Sequence, residues 1–408
     1  MRITYLHQYF NTPEMTGGTR SFEMARRLVA MGHEVNMVTS WRADGAEHDW
    51  YETDEAGIRV HWLPVPYSNH MSYSERMRAF VRFAWQAARK AASIPADVVF
   101  ATSTPLTIAL PGAYAARRQK VPMVFEVRDL WPHVPIAMGA LQNPIMRSCA
   151  KMLESFAYRR ASRIVALSPG MQEGVISSGV PLDKVSVIPN SSDLDLFDPN
   201  KNDGQLFRKA HPELGEGPMV VYGGTMGRVN GVGYLARIAS AAKQLGSTTQ
   251  FVVVGRGAEE DMVRKIASDE GVLGVNFHLY PPLPKKQMPN LLAAADVSVS
   301  LVINIEALWA NSANKFFDSL ASGTPMAINH GGWQADLLRD TGAGLVLPPD
   351  APEEAAVQLE VFLADREGLR DAGEAARELA RSRFSRDVLA VQLECVLQDA
   401  VSGGGRSV

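Results

Sequence analysis

The sequence contains little cysteine, no long apolar run and no histidine spacing typical of metal sites. Only Cys149 and Cys395 occur among the 408 residues, which excludes a disulfide framework and a cysteine metal site, and we expect both to be core residues. No uninterrupted apolar run reaches the ~18 residues that a membrane-spanning helix needs. The nine histidines show no H-x-x-x-H pair, so we expect no metal to be bound.

The beginning of the chain, "MRITYLHQYFNTPE", lacks the pattern of a signal peptide, and we therefore expect a cytoplasmic protein. The net charge of −3 is unevenly distributed. Residues 1–185 carry 21 basic and 16 acidic side chains, whereas residues 186–408 carry 20 and 28. The excess of basic side chains in residues 1–185 is too small for a nucleic-acid footprint, but it suits a first domain that faces anionic lipid or a phosphorylated acceptor.

Short apolar segments rich in β-branched residues alternate with amphipathic segments along the whole chain. Examples in the two halves are "DVVFATS", "PMVFEVR", "PMVVYGG" and "TQFVVVG". Such alternation predicts parallel sheets covered by helices, and two series predict two doubly wound α/β domains with a linker in the polar stretch 189–205. Ligands of these sheets bind at the carboxyl ends of the strands, so we expect a site in a cleft between two facing domains.

The stretch "EMTGGTRSFEMARRL" at residues 14–28 reads as a glycine loop followed by a helix. Gly17 and Gly18 would let the backbone approach an anion such as a diphosphate at the helix N-terminus. A tight turn that needs positive φ explains the same pair equally well, and both explanations stay open here.

Four further segments, "KVSVIPNSSDLDLF", "PMVVYGGTMGRVNGVGYL", "VVVGRGAEE" and "NKFFDSLASGTPMAI", occur in the order and spacing found in glycosyltransferase family 4, which the chain resembles over nearly its whole length. The resemblance implies a GT-B fold, two Rossmann-like domains and metal-independent, retaining sugar transfer from a nucleotide donor. Residues 1–190 would form the acceptor domain, with a helix at 385–401 packing back on it, and residues 206–384 the donor domain. "FEVRDLWPHVPIAMGAL" is similar to the bacterial O-antigen subgroup that includes N-acetyl-L-fucosamine transferases.

The resemblance also implies a set of site residues. The residues expected to bind the nucleotide sugar are Gly17, Gly18, Gly224, Thr225, Arg228, Gly255, Arg256, Leu283, Ser312, Ala313, Asn314, Lys315 and Asp318. Those expected to serve catalysis are Gly18, Arg128, Asp129, Arg228 and Lys315.

In "NSANKFFDSLASGTP", Asp318 occupies the family's ribose-binding position, where a carboxylate accepts charge-assisted hydrogen bonds. Lys315 lies about one turn earlier and would face the donor diphosphate, together with backbone N–H groups of residues 311–313. The family's other glutamate is replaced by Ala310, so its role would be lost or taken over by a neighbour such as Glu306. An ordinary helix-surface charge is the alternative for both Lys315 and Asp318.

A second departure concerns the cations that neutralise the leaving diphosphate. The family's Arg and Lys are replaced by Thr225 and Asn230, and we expect Arg228 and Lys315 to supply the charge instead. In "VVVGRGAEE", Gly255 would allow close approach of the base and Arg256 would reach over it.

Two further regions would help to define the substrates. Backbone around Pro282 and Leu283 would read the uracil edge, while Lys285 and Lys286 are expected to lie in solvent. Arg128 stands where many relatives have a histidine that touches the donor sugar. The adjacent Asp129 would hold a sugar or acceptor hydroxyl, or else cap a helix or a turn.

The segment at residues 72–93 has the pattern of a basic amphipathic helix. Its apolar residues are Met77, Phe80, Val81, Phe83, Ala84 and Trp85, and its basic residues are Arg76, Arg78, Arg82, Arg89 and Lys90. Peripheral contact with an anionic membrane and simple packing on a sheet are both consistent with this pattern.

These observations lead us to expect a retaining transferase that moves an N-acetylated hexosamine or deoxyhexosamine from a UDP-sugar to a lipid-diphosphate-linked acceptor. The pathway would be bacterial surface polysaccharide biosynthesis. Two alternatives stay open: a UDP-N-acetylhexosamine 2-epimerase, and a catalytically silent nucleotide-sugar-binding protein, which the departures at Ala310, Thr225 and Asn230 would favour.

Overall fold

A computed structural model describes residues 1–15, 17–42, 49–65, 71–191 and 193–403. The chain divides into two compact units. The first unit comprises Met1–Pro189 together with the chain from Asp387 onward, and the second comprises Asn190–Arg386. Each unit contains one sheet, parallel except for a single hairpin in the first unit, and covered by helices, which confirms the prediction of two doubly wound α/β domains.

The first unit contains an eight-stranded sheet in the order β3-β4-β2-β1-β5-β6-β7-β8. Its strands are β1 (Arg2–Leu6), β2 (Glu34–Trp41), β3 (Tyr51–Glu55), β4 (Ile58–Pro64), β5 (Val98–Thr102), β6 (Met123–Val127), β7 (Arg163–Ala166) and β8 (Val185–Val187). All neighbours are parallel except β3 and β4, which form a hairpin. The sequence reading missed β3, because "YETDE" is an acidic edge strand with little apolar signal.

The helices of the first unit are α1 (Arg20–Ala30), α2 (Tyr73–Ser93), α3 (Ala109–Gln119), α4 (His133–Ala137), α5 (Pro144–Arg160), α6 (Pro169–Ser177) and α15 (Arg386–Gly403). The last of these supplies Leu389, Leu393 and Leu397 to the hydrophobic core that contains Ile3 and Tyr5 of β1. The core of the first unit therefore includes residues almost 400 positions apart in the chain.

The second unit contains a six-stranded, fully parallel sheet in the order β11-β10-β9-β12-β13-β14. Its strands are β9 (Met219–Gly223), β10 (Gln250–Val254), β11 (Phe277–Tyr280), β12 (Val297–Ser300), β13 (Met326–Ile328) and β14 (Gly344–Val346). Its helices are α7 (Gly204–Ala210), α8 (Gly233–Gln244), α9 (Glu260–Asp269), α10 (Met288–Ala294), α11 (Asn314–Ser322), α12 (Trp333–Thr341), α13 (Pro352–Ala364) and α14 (Arg366–Arg383).

In both sheets the strand order reverses beside a central strand. The reversal lies between β1 and β5 in the first unit and between β9 and β12 in the second. In open α/β sheets, ligands bind outside the carboxyl ends of the strands at this point. The residues that follow β1, β5, β9 and β12 are therefore the first places to look for function.

Both cysteines were predicted to be core residues, and this prediction is wrong. Cys149 on α5 and Cys395 on α15 are exposed. Each helix does carry an apolar pattern, but neither cysteine lies on the buried face: α15 buries Leu393, Val396 and Leu397 around Cys395. A helical pattern shows that a buried face exists without fixing where a small, weakly polar side chain falls on it.

Candidate active site

Two glycine-containing turns pack closely against each other at the carboxyl ends of β9 and β10. The amide of Gly224 donates to the carbonyl of Val254 at 2.9 Å, and the amide of Met226 donates to the carbonyl of Arg256 at 2.9 Å. A Cβ atom on Gly255 would lie 1.9 Å from the Gly224 carbonyl oxygen, far inside van der Waals contact. The turn after β10 therefore requires bare backbone where it meets the Gly224 carbonyl.

Lys315 on the first turn of α11 reaches this pair of turns. Its Nζ donates to the Tyr222 hydroxyl at 2.7 Å, and that hydroxyl donates to the carbonyl oxygen of Thr225 at 2.7 Å. A Cβ atom on Gly224 would lie 3.3 Å from the same Nζ. Burial lowers the pKa of Lys315 to about 7, since desolvation disfavours the ammonium form. The site thus holds a titratable cation beside a glycine turn.

Asp318 lies one turn further along α11 and faces a lysine from another segment. Its Oδ2 accepts a hydrogen bond from Lys285 Nζ at 2.5 Å, and the same ammonium lies 4.6 Å from the centre of the Phe197 ring. Its Oδ1 is buried and has no hydrogen-bond partner among the residues that the structure describes. The carboxylate therefore keeps one acceptor for a ligand.

The pairing with Asp318 corrects the prediction for Lys285, which was expected to lie in solvent. Lys285 is only partly exposed, because the Asp318 carboxylate and the Phe197 ring hold it, whereas Lys286 is exposed as expected. Leu283 is partly buried and packs against the core beneath β10, and Pro282 is exposed.

The structure places the other predicted residues of this segment, Ser312, Ala313 and Asn314, at the N-terminus of α11. The Ser312 hydroxyl accepts the backbone N–H of Asn190 at 3.1 Å. Ala313 is the N-cap residue of α11 and Asn314 its first residue, and both are half-buried. Glu306 is exposed in the preceding loop. The amides of the first helical turn carry the positive end of the helix dipole.

Arg228 and Arg256 are exposed in the turns that follow β9 and β10. Arg228 takes no part in the contacts that join Lys315, Tyr222 and Thr225. Asn230 donates its side-chain amide to the Thr225 carbonyl at 2.8 Å, so it fixes the turn. The departure at Asn230 thus has a structural explanation, whereas the Thr225 side chain is exposed.

The glycine loop of the first unit has a local reason for its first glycine. Gly17 has φ of +134°, and a Cβ atom there would lie 2.6 Å from Asn11 Nδ2. The carbonyl of Gly18 accepts a hydrogen bond from that same amide at 3.3 Å. The tight-turn explanation therefore accounts for Gly17, and any contact of this loop with a diphosphate stays a prediction.

A buried ion pair lies directly behind this loop. Arg20 donates two hydrogen bonds to Glu126 Oε1, at 2.9 and 3.1 Å, and both side chains are almost fully buried. Arg20 also donates to the carbonyls of Ile188 and Pro189. The opposing charge outweighs burial and keeps the pKa of Glu126 below its usual range. The pair fixes the start of α1 to β6.

Arg128 and Asp129 follow β6. Arg128 Nη1 donates to His7 Nε2 at 3.2 Å, and its backbone N–H donates to the Ser103 hydroxyl at 3.0 Å. Desolvation by neighbouring groups raises the pKa of Asp129 to about 6, an effect that the Arg128 charge partly offsets, although the residue as a whole is exposed. The N-cap residue of the nearby α4 is Pro132, so Asp129 does not cap that helix. His133 is exposed.

The acidic "DLD" triplet, Asp193 to Asp195, shows no metal-like grouping. Within the described ranges, no three His, Cys, Asp or Glu side chains are close enough together to hold a metal ion. Asp195 is almost fully exposed, 3.8 Å from Lys201, and the Asp193 carbonyl accepts from the Phe197 amide.

Comparison with known families identifies both halves of the chain. Residues 16–191 match the family described as Glycosyl transferase 4-like domain, and residues 203–379 match Glycosyl transferases group 1. The chain carries the two domains of a GT-B glycosyltransferase.

Similar proteins place this transferase among distant relatives. The GDP-mannose-dependent α-(1-6)-phosphatidylinositol monomannoside mannosyltransferase of Mycobacterium tuberculosis is 23% identical over 303 residues, which are 72% of this chain and 74% of the relative. Sucrose-phosphate synthase of Thermosynechococcus elongatus superposes with a TM-score of 0.80 at 17% identity, over 98% of this chain and 99% of that one. HepE of Anabaena, in complex with UDP and glucose, superposes with a TM-score of 0.71 at 18% identity, over 98% of this chain and 100% of that one. These likenesses confirm the predicted GT-B fold.

Several residues that hold the strand ends of this transferase in place could not be recognised from the sequence. The sequence shows Tyr222 only as part of a predicted strand, although its hydroxyl links Lys315 to the Thr225 carbonyl. It shows Arg20 only as the residue that follows the glycine loop, and Glu126 only as part of a strand. A charged residue within an apolar strand, as in "PMVFEVR", was the one available signal, since such a residue needs a buried partner.

Proposed function

We propose that this glycosyltransferase belongs to family 4 and transfers a sugar with retention, from a UDP-sugar to a lipid-diphosphate-linked acceptor in bacterial surface polysaccharide biosynthesis. The transferred sugar is an N-acetylated hexosamine or deoxyhexosamine. In this proposal the second unit binds the donor, the first unit binds the acceptor, and no metal takes part.

The observation that supports donor binding most strongly is the pair Lys315 and Asp318 on α11. A nucleoside diphosphate presents anionic phosphates and, a few ångströms away, the two hydroxyl donors of a ribose. The N-terminus of α11 and Lys315 suit the phosphates, and the unpartnered Oδ1 of Asp318 suits a ribose hydroxyl. The bare backbone of Gly224, beside Lys315 Nζ, would let the ligand approach closely.

The chemistry that follows from this placement is substitution at the anomeric carbon of the donor. An acceptor hydroxyl forms the new glycosidic bond, the bond to the diphosphate breaks, and a donor phosphate oxygen takes the hydroxyl proton. Negative charge grows on the leaving diphosphate, where Lys315, Arg228 and the α11 amides would stabilise it. Asp129 would hold a sugar or acceptor hydroxyl.

The base of the donor is the least constrained part of the proposal. HepE is known in complex with UDP, whereas the mycobacterial relative is named as dependent on GDP-mannose. Thermal shift with UDP, GDP and ADP tests it directly, because a ligand that binds the folded state raises its melting temperature. We expect UDP to give the largest shift, and a larger shift with GDP would overturn the choice of base.

Turnover tests the reaction itself. The protein is incubated with UDP-N-acetylhexosamines and a lipid-diphosphate-linked saccharide, and products are identified by mass spectrometry. A lengthened saccharide supports the proposal. An epimerised donor identifies the 2-epimerase, and UDP-sugar binding without turnover identifies a silent binding protein. Replacing Arg228 and Lys315 together by Met should abolish transfer, whereas Lys286→Met should leave it intact, since Lys286 is exposed.

A membrane-facing acceptor is supported by the outer face of α2. This helix buries Ala79, Phe83, Ala87 and Ala91 on one side, yet Val81 and Trp85 on another side are 61% and 67% exposed. Leu110 and Tyr114 of α3 line a groove of about 410 Å³ together with them. Arg82 and Arg89 are exposed beside this groove; the Arg76 side chain lies outside the described residues. An apolar face flanked by cations suits an anionic bilayer.

None of the described helices combines the length and the apolar character needed to cross a bilayer, so the contact would be peripheral. Co-sedimentation with phosphatidylcholine vesicles, with and without phosphatidylglycerol, tests it. Binding should require phosphatidylglycerol and should be lost in the double variant V81E/W85E. The control is L182E, since Leu182 is equally exposed at 62% but lies outside α2 and α3. Equal binding by all variants would contradict the membrane contact.

A further inference from the structure

Four residues that directly follow neighbouring strands meet at the carboxyl edge of the first unit's sheet. His7 follows β1, Arg42 follows β2, Ser103 follows β5 and Arg128 follows β6. These strands are adjacent in the order β2-β1-β5-β6, which includes the reversal point of the sheet. The carboxyl ends of adjacent parallel strands lie at one edge, so the four residues face the same region.

The contact between Arg128 and His7 fixes the state of the histidine. A guanidinium can only donate, so His7 Nε2 must accept the hydrogen bond from Arg128, and the ring is neutral with its proton on Nδ1. Burial and the charges of Arg128 and Arg42 together lower the pKa of His7 well below its ordinary value. Both guanidinium groups are thus close enough to act on this imidazole.

Two buried polar atoms at this edge have no hydrogen-bond partner among the described residues. They are Nδ1 of His7, whose residue is 3% exposed, and Oε1 of Gln8, whose residue is 1% exposed. A buried donor without a partner costs free energy unless a ligand or water satisfies it. His7 therefore offers an N–H group to whatever binds here.

Arg42 is half-buried without a carboxylate partner among the described residues. Its guanidinium donates to Asn11 Oδ1 and lies 5.6 Å from the centre of the Tyr9 ring. Burial lowers the pKa of Arg42, and the nearby Tyr9 offsets this effect only in part.

Two carboxylates of the described residues, Glu126 and Asp129, lie close enough to act on Arg128. Glu126 already accepts from Arg20 on one oxygen and from Thr102 on the other. Asp129 follows Arg128 in the chain and is the remaining acid that acts on it. Among the described residues, Arg20, Arg42 and Arg128 thus share this edge with two carboxylates, of which Glu126 is fully committed.

We propose that Arg42 and Arg128 bind an anionic group of the acceptor, a phosphate or a carboxylate, and that His7 is a positioning residue for Arg128. That the anion belongs to an acceptor rests on the proposed function, whereas the presence of an anion site does not. Arginine forks match the oxygens of phosphate and carboxylate, and two of them would distinguish a charged acceptor from a neutral sugar.

The test is calorimetric titration with three probes: geranyl diphosphate, glucose 6-phosphate and glucuronate. The parent protein for this series carries Arg228→Gln and Lys315→Gln, which remove the cations expected at the donor. Binding then does not depend on which nucleotide the protein takes. The anion site can therefore fail without the proposed function failing, and the reverse also holds.

We expect at least one probe to bind, and the added pair R42Q/R128Q to weaken it about tenfold or more. The matched control R117Q/R159Q removes the same charge from exposed positions and should change affinity less than about twofold. Preference for geranyl diphosphate indicates that the site binds a lipid diphosphate. Preference for glucose 6-phosphate indicates a phosphorylated saccharide, and preference for glucuronate indicates an acidic sugar. No binding of any probe, or equal loss in the control, overturns the proposal.

The role of His7 is tested in the same titration. His7→Leu removes the acceptor that holds Arg128 and should lower probe affinity several-fold. His7→Gln offers a side-chain carbonyl in its place and should restore most of it. UDP affinity, measured in the protein with native Arg228 and Lys315, should not change in either variant. A loss that glutamine fails to rescue would contradict the positioning role.

Discussion

The two sheets carry polar groups at the same edge, but they build this edge from different material. In the second unit it is mostly backbone: two interlocked glycine turns and a helix N-terminus, with Lys315 and Asp318 added. In the first unit it is mostly side chain, with Arg20, Arg42 and Arg128 around the buried Glu126 and His7. The edge of the second unit, the backbone edge, suits the part of the ligand that all donors share. The edge of the first unit, the side-chain edge, suits a partner that varies.

The largest effect should come from the buried pair in the first unit. Arg20→Met leaves Glu126 buried without its cation and should lower the free energy of unfolding by about 3–5 kcal/mol. Urea unfolding followed by tryptophan fluorescence measures it. The control is Arg2→Met, which breaks an exposed pair with Asp97 and should change stability little. Similar losses in both variants would mean that the side-chain edge is not held by this pair.

The second unit should instead be destabilised most by a change in the packing of its backbone. Gly255→Ala places a Cβ against the Gly224 carbonyl and should cost about 3 kcal/mol of stability, with loss of nucleotide binding. Gly246→Ala is the matched control. It also has positive φ, +77°, but meets nothing within 4 Å, so it should cost only about 1 kcal/mol. Unfolding and UDP titration of both variants separate the clash from the conformational cost, and equal effects would refute the clash.

Asp318→Ala should weaken UDP binding by about 1.5–3 kcal/mol, since a charge-assisted hydrogen bond to the ribose is lost. Calorimetric titration gives this difference. Asp336→Ala on α12 removes an exposed carboxylate from the same unit and should leave affinity unchanged. UDP affinity that does not respond to Asp318→Ala would argue that its free oxygen serves the fold instead.

The smallest effect is a pH dependence at Lys315. With its pKa lowered to about 7, the lysine is protonated below this pH and neutral above it in the free protein. A bound diphosphate favours the charged form, so binding above pH 7 requires proton uptake, and UDP affinity should fall by up to about 1.4 kcal/mol per pH unit. Lys315→Arg stays charged and should flatten the profile between pH 6 and 8.5. Parallel profiles would contradict the assignment.

The fold and the backbone features of the second unit could largely be predicted from the sequence. Alternating apolar segments indicate parallel sheets, and glycines at strand ends indicate close approach, because both leave a local pattern. Lys315 and Asp318 were expected on one helix for the same reason. The contact of Lys285 with Asp318 was not, since 33 residues separate them and no local rule pairs them.

The side-chain edge of the first unit could not be assembled in this way. His7, Arg42 and Arg128 follow three different strands, and only the strand order makes them neighbours. Arg20 and Glu126 are 106 positions apart in the chain. A single sequence shows that each residue is charged or polar, but it does not show which strands lie side by side. The sequence therefore predicts the strands and helices but not which of them are neighbours.

Helix α15 has a consequence for how the protein is made. Its leucines complete the core of the first unit, yet ribosomes synthesise them only after the whole second unit. At about 5–20 residues per second, some 200 residues separate Pro189 from Leu393, a delay of about 10–40 s. During this interval the first sheet has an uncovered apolar surface where α15 will pack. Nascent chains stalled before α15 should therefore be bound by chaperones and cut readily by proteases.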